Sequence, residues 1–228
     1  MVKEEHLRLI AWDGESVSGL LDVPPDARAL VVLAHGAGAG MTHPFLSAFA
    51  RGLAERGIAS LRYQFPYMEH GGKRPDPPKL AHATVRAAAA EALRRMPKLP
   101  LFAGGKSFGG RMTSQAQALA PVPGVRGLLF VGFPLHPAGR PSQDRGKHLF
   151  DVKLPMLFLA GTRDALAELT ELTPLLSALG SRAEVRQFQD ADHSFHVPAK
   201  SGRKDADVRN EMLDAVAAWI DRVIGRRA

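Results

Sequence analysis

The sequence predicts an α/β fold, a mostly parallel sheet buried between two layers of helices. Three observations carry this expectation. Short, predominantly apolar runs recur at Ala29–Ala34, Ile58–Tyr63, Leu99–Ala103, Val125–Val131 and Met156–Ala160, with a further strand at Ala183–Phe188. Segments of helical period separate them. Glycine-rich or acidic turns follow several of the runs directly. Strands this apolar are hidden on both faces, which is the signature of a parallel sheet in an α/β layer architecture.

The chain opens with two runs around Asp13-Gly14, His6–Trp12 and Ser16–Val23. Asp-Gly between such runs predicts an antiparallel hairpin. Pro44–Arg56 places Phe45, Phe49 and Leu53 at i, i+4 and i+8, one face of a helix. Lys79–Met96 is alanine-rich and helical, and a helix from Ser107 to Leu119 follows the strand at Leu99–Ala103. Leu166–Leu179 is helical with an expected break at Pro174. The last helix, from about Asp205 to Ile224, carries Met212, Ala215, Val216, Trp219, Ile220 and Val223 on one face. The Pro/Gly/charge-rich stretches 64–78 and 133–153 read as loops, so residues 1–228 are expected to form a single domain.

Composition narrows the function. The 228 residues are 45% hydrophobic and 23% charged, ordinary for a globular protein and unlike a disordered or fibrous one. There is no cysteine, which removes disulfides, thiolate metal sites and cysteine nucleophiles. Net charge is +7, but the basic residues are scattered, and the densest cluster is Arg222, Arg226 and Arg227. Nucleic-acid binding is therefore not expected. The longest apolar stretches fall far short of the roughly 20 residues a membrane span needs. Met1 to His6 has no apolar segment behind it, so no signal peptide and a cytoplasmic location are expected.

In a parallel sheet the ligand site lies beyond the carboxyl ends of the strands. After Leu99–Ala103 comes Gly104-Gly105-Lys106-Ser107-Phe108-Gly109-Gly110, a single G-x-S-x-G between strand and helix. This is the nucleophile-elbow pattern, whose glycines admit a tight turn that lifts Ser107 Oγ above the sheet edge. The same Gly105-Lys106-Ser107 resembles the end of a phosphate-binding loop, but that loop needs glycine where Pro100 stands. Asp164 follows the strand at Met156–Ala160, and His193 follows the strand at Ala183–Phe188. The order Ser, Asp, His across three successive strand ends is that of a nucleophile, an orienting acid and a general base. Asp190 and Asp192 share the loop of His193 and would crowd its ring. His196 makes an H-x-x-H pair with His193, but no third ligand is near, so no metal and no cofactor are expected. His35-Gly36-Ala37-Gly38-Ala39-Gly40 follows the strand at Ala29–Ala34 and offers small residues for an oxyanion hole, with the Ala37 and Phe108 N–H groups as its donors. Tyr67, Met68, Phe133, His136 and Phe195 are candidate pocket walls.

HGAGAG, GGKSFGG, LAGTRDAL and DADHSF together resemble the α/β-hydrolase superfamily, in its small cap-less branch near dienelactone-hydrolase-like proteins. RYQFPYM and RPDPP look like a narrower group of bacterial hydrolases similar to animal proteins that include a chromatin-complex subunit. The resemblance implies an eight-stranded, mostly parallel sheet with helices on both faces and no cap domain. It also implies Ser107, Asp164 and His193 as nucleophile, acid and base. Dienelactone hydrolases proper use a cysteine nucleophile, so their substrate is not implied. The expected activity is hydrolysis of a carboxylic ester or thioester of a small-molecule acyl substrate, by a monomer or homodimer. The alternative is a binding or scaffold protein that keeps the fold with little turnover.

Overall fold

The computed structural model describes residues 2–225; Arg226 and Arg227 of the basic cluster lie outside the described residues. Strands β1 (Lys3–Trp12) and β2 (Glu15–Val23) form the N-terminal antiparallel hairpin. Then follow β3 (Ala29–Ala34), α1 (Pro44–Glu55), β4 (Ile58–Tyr63), α2 (Pro66–Glu69) and α3 (Pro78–Arg95). Next come β5 (Leu101–Lys106), α4 (Phe108–Leu119), β6 (Val125–Val131), β7 (Met156–Gly161), α5 (Leu169–Leu179), β8 (Ala183–Phe188) and α6 (Asp205–Gly225). The eight strands make one sheet in the order β1-β2-β4-β3-β5-β6-β7-β8. Only the β1–β2 and β2–β4 pairs are antiparallel.

Helices α1 and α6 cover one face. Leu46, Phe49 and Leu53 of α1 pack with Val208, Met212 and Trp219 of α6 against β3, β6 and β7. Helices α3, α4 and α5 cover the other face. Burial on both sides explains why β3, β4 and β7 are fully buried along their length. Strand β8 pairs with β7 alone, and its Arg186 and Gln187 are exposed. The segment between β6 and β7 holds only a 3₁₀ segment, Asp144–Asp151, and no cap domain.

The structure departs from the sequence reading in two places that matter. Strand β5 continues past Ala103 through Gly104-Gly105-Lys106, because those residues still pair with Leu129, Phe130 and Val131 of β6. Helix α5 begins three residues late, at Leu169, and runs through Pro174 without a break. Proline removes one backbone bond, but Leu172, Leu175, Leu176 and Leu179 are buried, and their packing outweighs that loss. Pro174 itself is exposed. Pro174→Ala is therefore expected to stabilise the protein by about 1–3 kcal/mol, seen as a higher midpoint in urea unfolding.

Candidate active site

Three loops beyond the carboxyl ends of β5, β7 and β8 bring Ser107, Asp164 and His193 together. Ser107 Oγ lies 2.8 Å from His193 Nε2, and His193 Nδ1 lies 2.8 Å from Asp164 Oδ2. A carboxylate only accepts, so the Nδ1–H of His193 donates to Asp164. That leaves Nε2 free to accept from the Ser107 hydroxyl. Asp164 is 3% exposed. Its other oxygen accepts from the Leu166 N–H at 2.8 Å, which fixes the carboxylate in the turn after β7.

The turn that carries Ser107 is strained. Ser107 has φ 50 and ψ −115, a conformation that costs a side-chain-bearing residue roughly 1–3 kcal/mol. The neighbouring glycines make it possible. A Cβ on Gly105 would stand 2.2 Å from the Ala34 carbonyl oxygen, and one on Gly109 would stand 2.6 Å from the His35 carbonyl oxygen. The flanking glycines thus let β5 and α4 close tightly against the end of β3.

The loop after β3 is held by partners from the segment after β4. The His35 ring is fully buried; its Nδ1–H donates to Gly36 O at 2.8 Å, and its Nε2 accepts from Phe65 N–H at 3.0 Å. Burial lowers the pKa of His35 to about 4, so it is neutral at pH 7. The Gly38 N–H donates to Tyr67 Oη at 2.9 Å, and the Met41 N–H donates to Gln64 Oε1 at 2.8 Å. The Ala37 and Phe108 N–H groups have no acceptor among the described residues. Ala37 borders the same cavity as Ser107 and His193.

That cavity has a volume of about 270 Å³ and is lined by Gly36, His43, Phe45, Leu46, Lys106 and Ser194, among others. The five side chains proposed as its walls stand elsewhere. Tyr67 supports Gly38 from behind, and Met68 packs beneath Gly40. Phe133 is buried in a ring cluster with Phe130 and Phe158. His136 is buried and its Nε2 accepts from the Glu168 N–H at 3.3 Å. Phe195 stacks on Phe45 and meets Phe188 edge-on. These five side chains bury themselves, and the cavity surface is made instead by the small residues Gly36, Ala37, Ala39 and Gly40 with His43, Phe45 and Leu46 at the start of α1. His196 pairs with Asp205 at the start of α6, at 2.9 Å, away from that surface. Asp192 accepts from the Ser194 and His196 N–H groups and shapes the loop of His193 without touching its ring.

Lys106, between the elbow glycine and Ser107, is the residue whose place the sequence did not reveal. Its ammonium donates to the backbone oxygen of His193 and lies over the rings of Phe195 and Phe45. Burial lowers its pKa to about 8, against the opposing pull of Asp164 and Asp192. An unfolded lysine binds its proton up to about pH 10.4. Between these values the unfolded state holds more protons, so stability rises with pH there. The protein is expected to gain about 2 kcal/mol from pH 7 to pH 10 relative to Lys106→Met, measured by urea unfolding of both at each pH.

Among the described residues, no helix is long and apolar enough to cross a membrane. Comparison with known proteins agrees with the architecture. A dienelactone hydrolase from Anabaena variabilis superposes with a TM-score of 0.79 at 20% identity, over 97% of this chain and 98% of that one. A serine hydrolase without a lid from Xanthomonas campestris gives 0.74 at 23% identity, over 95% of each chain. An esterase domain of a Rhodothermus marinus protein gives 0.73 at 18% identity, over 96% of this chain and 98% of that one. At these identities the likeness speaks for the fold. A family model described as an alpha/beta hydrolase domain matches residues 27–221. With that match over most of its length, the chain belongs to the alpha/beta hydrolase domain family.

Proposed function

We propose that the protein is a serine hydrolase that cleaves a carboxylic ester or thioester through an acyl-enzyme. The observation that carries this reading is the unbroken line of hydrogen bonds from Ser107 through His193 to Asp164, at 2.8 Å each. Ser107 attacks the carbonyl carbon as His193 Nε2 takes its proton. Asp164 keeps the imidazole in the accepting tautomer and stabilises the cation that forms. The Ala37 and Phe108 N–H groups receive the oxyanion, each worth roughly 3 kcal/mol of barrier. The proton then passes from His193 to the leaving group, and water repeats the sequence to release the acid and restore Ser107.

Two further facts support the reading. The relatives superposed above include proteins described as a serine hydrolase and an esterase domain. The strained conformation of Ser107 is also costly to maintain for a turn with no chemical role. The test is hydrolysis of 4-nitrophenyl acetate and octanoate by the wild type and Ser107→Ala. Turnover that disappears in the variant is expected, and equal turnover by both would overturn the proposal. The acetate-to-octanoate ratio reports how far the site extends.

A further inference from the structure

Ser107 borders two clefts that share only Ala37, Ser107 and Leu166. The first is the cavity already described, and His193 lines it. The second, of about 380 Å³, is lined by Phe108, Met112, Pro134, Arg111, Arg145 and Asp76, among others. Proton transfer decides which half of an ester belongs in each. The leaving oxygen must lie within reach of His193 Nε2, so the alcohol half belongs in the first cleft. The acyl half is left for the second.

The second cleft carries two arginines against one carboxylate, Asp76. Neither Arg111 nor Arg145 forms an ion pair among the described residues. Arg111 Nε is buried with no hydrogen-bond partner. Burial, and then the charge of Arg145, hold the pKa of Arg111 below its ordinary value. Two neighbouring guanidiniums are unfavourable to each other, and a buried donor left unmade costs further free energy. An anion between the two guanidiniums would relieve their repulsion. Asp76 does not: its carboxylate accepts from the Tyr67 N–H at 3.2 Å, and burial raises its pKa.

We propose that the acyl half of the substrate ends in a carboxylate received by Arg111 and Arg145, so that the substrate is a half-ester of a dicarboxylic acid. This rests on the serine-hydrolase reading. The Ser107 Oγ–acyl bond forms as the bond from acyl carbon to leaving oxygen breaks. The serine proton leaves with the alcohol, and one water releases the dicarboxylic acid and restores Ser107. No other reactant is needed. Paired guanidinium–carboxylate bonds are strong and directional, so the arginines would also set the depth to which the acyl chain enters.

The test compares kcat/KM for mono-4-nitrophenyl adipate with that for 4-nitrophenyl hexanoate, a neutral ester of the same chain length. The wild type is expected to favour the adipate by tenfold or more. Arg111→Gln and Arg145→Gln should each lower that ratio about tenfold. Lys98→Gln removes an exposed charge outside both clefts and should leave the ratio unchanged. Hexanoate turnover without an adipate preference would overturn the half-ester proposal and leave the hydrolase reading intact. So would a ratio that the arginine variants do not move, or that Lys98→Gln lowers equally. If neither ester is hydrolysed, the hydrolase reading fails. Calorimetric titration with adipate itself then decides the cleft: binding to the wild type that weakens tenfold in either arginine variant supports it, and no binding overturns it.

Discussion

Ser107→Ala is expected to lower kcat on any ester the protein hydrolyses by roughly a million-fold, and His193→Ala by about as much. Asp164→Asn should cost roughly 10⁴-fold, because an amide presents the wrong partner to His193 Nδ1–H and favours the wrong tautomer. On the proposed mechanism the three act as one unit. Adding His193→Ala to Ser107→Ala should therefore cost little more, since a base with no hydroxyl to activate has no proton to take. Stopped-flow and steady-state assays of the single and double variants check this. A loss below tenfold for Ser107→Ala, or strictly multiplicative losses, would mean that the hydrogen-bonded line is not the route of the chemistry. All three variants should remain folded, because the two alanines remove side-chain atoms without inserting any and asparagine has the shape of aspartate.

Gly104→Ala has the largest expected effect on stability. A Cβ at this position would lie 1.9 Å from the Leu129 carbonyl oxygen and 2.9 Å from its nitrogen. Both are backbone atoms of the adjoining strand, so no side-chain rotation can relieve the overlap. Strand β5 would have to separate from β6 one residue before the elbow, where Gly104 and Gly105 pair with Leu129 and Phe130. A loss of about 4 kcal/mol is expected, in the range reserved for core strain, which lowers the melting temperature of a chain this size by roughly 8–16 °C. Activity per folded molecule should also fall, since Ser107 rides on this strand. Calorimetry and a soluble-fraction assay test it, and a melting temperature within two degrees of the wild type would contradict the account.

The parts of the fold that were legible in the sequence are those written in side-chain period and turn chemistry. The β1–β2 hairpin follows from Asp13-Gly14, and Gly14 has the positive φ of 80 that such a turn uses. The order of Ser107, Asp164 and His193 was legible because each follows a strand directly, and parallel strands deliver their carboxyl ends to one edge. Two features hid the rest. Pro174 reads as a breaker locally, and only the burial of four leucines, a tertiary fact, keeps α5 continuous. The cavity walls are not legible in the sequence, because large loop side chains suggest a surface, whereas Phe133, His136 and Phe195 are at most 3% exposed. Lys106 sits at the variable position of the elbow, where the motif says nothing. Its role as a donor to His193 O depends on the approach of a loop 87 residues away. Arg111 and Arg145 carry no motif at all; they matter because α4 and the 3₁₀ segment before β7 turn them into one cleft.

The proposed mechanism stands or falls on Ser107 being an activated nucleophile. The most direct measurement is labelling with a fluorophosphonate probe, followed by intact mass and peptide mapping, on the wild type and Ser107→Ala. A single stoichiometric adduct on Ser107 is expected in the wild type and none in the variant. A folded wild-type protein that takes no label, or takes it on another residue, would contradict it and turn attention to a binding role for the same fold.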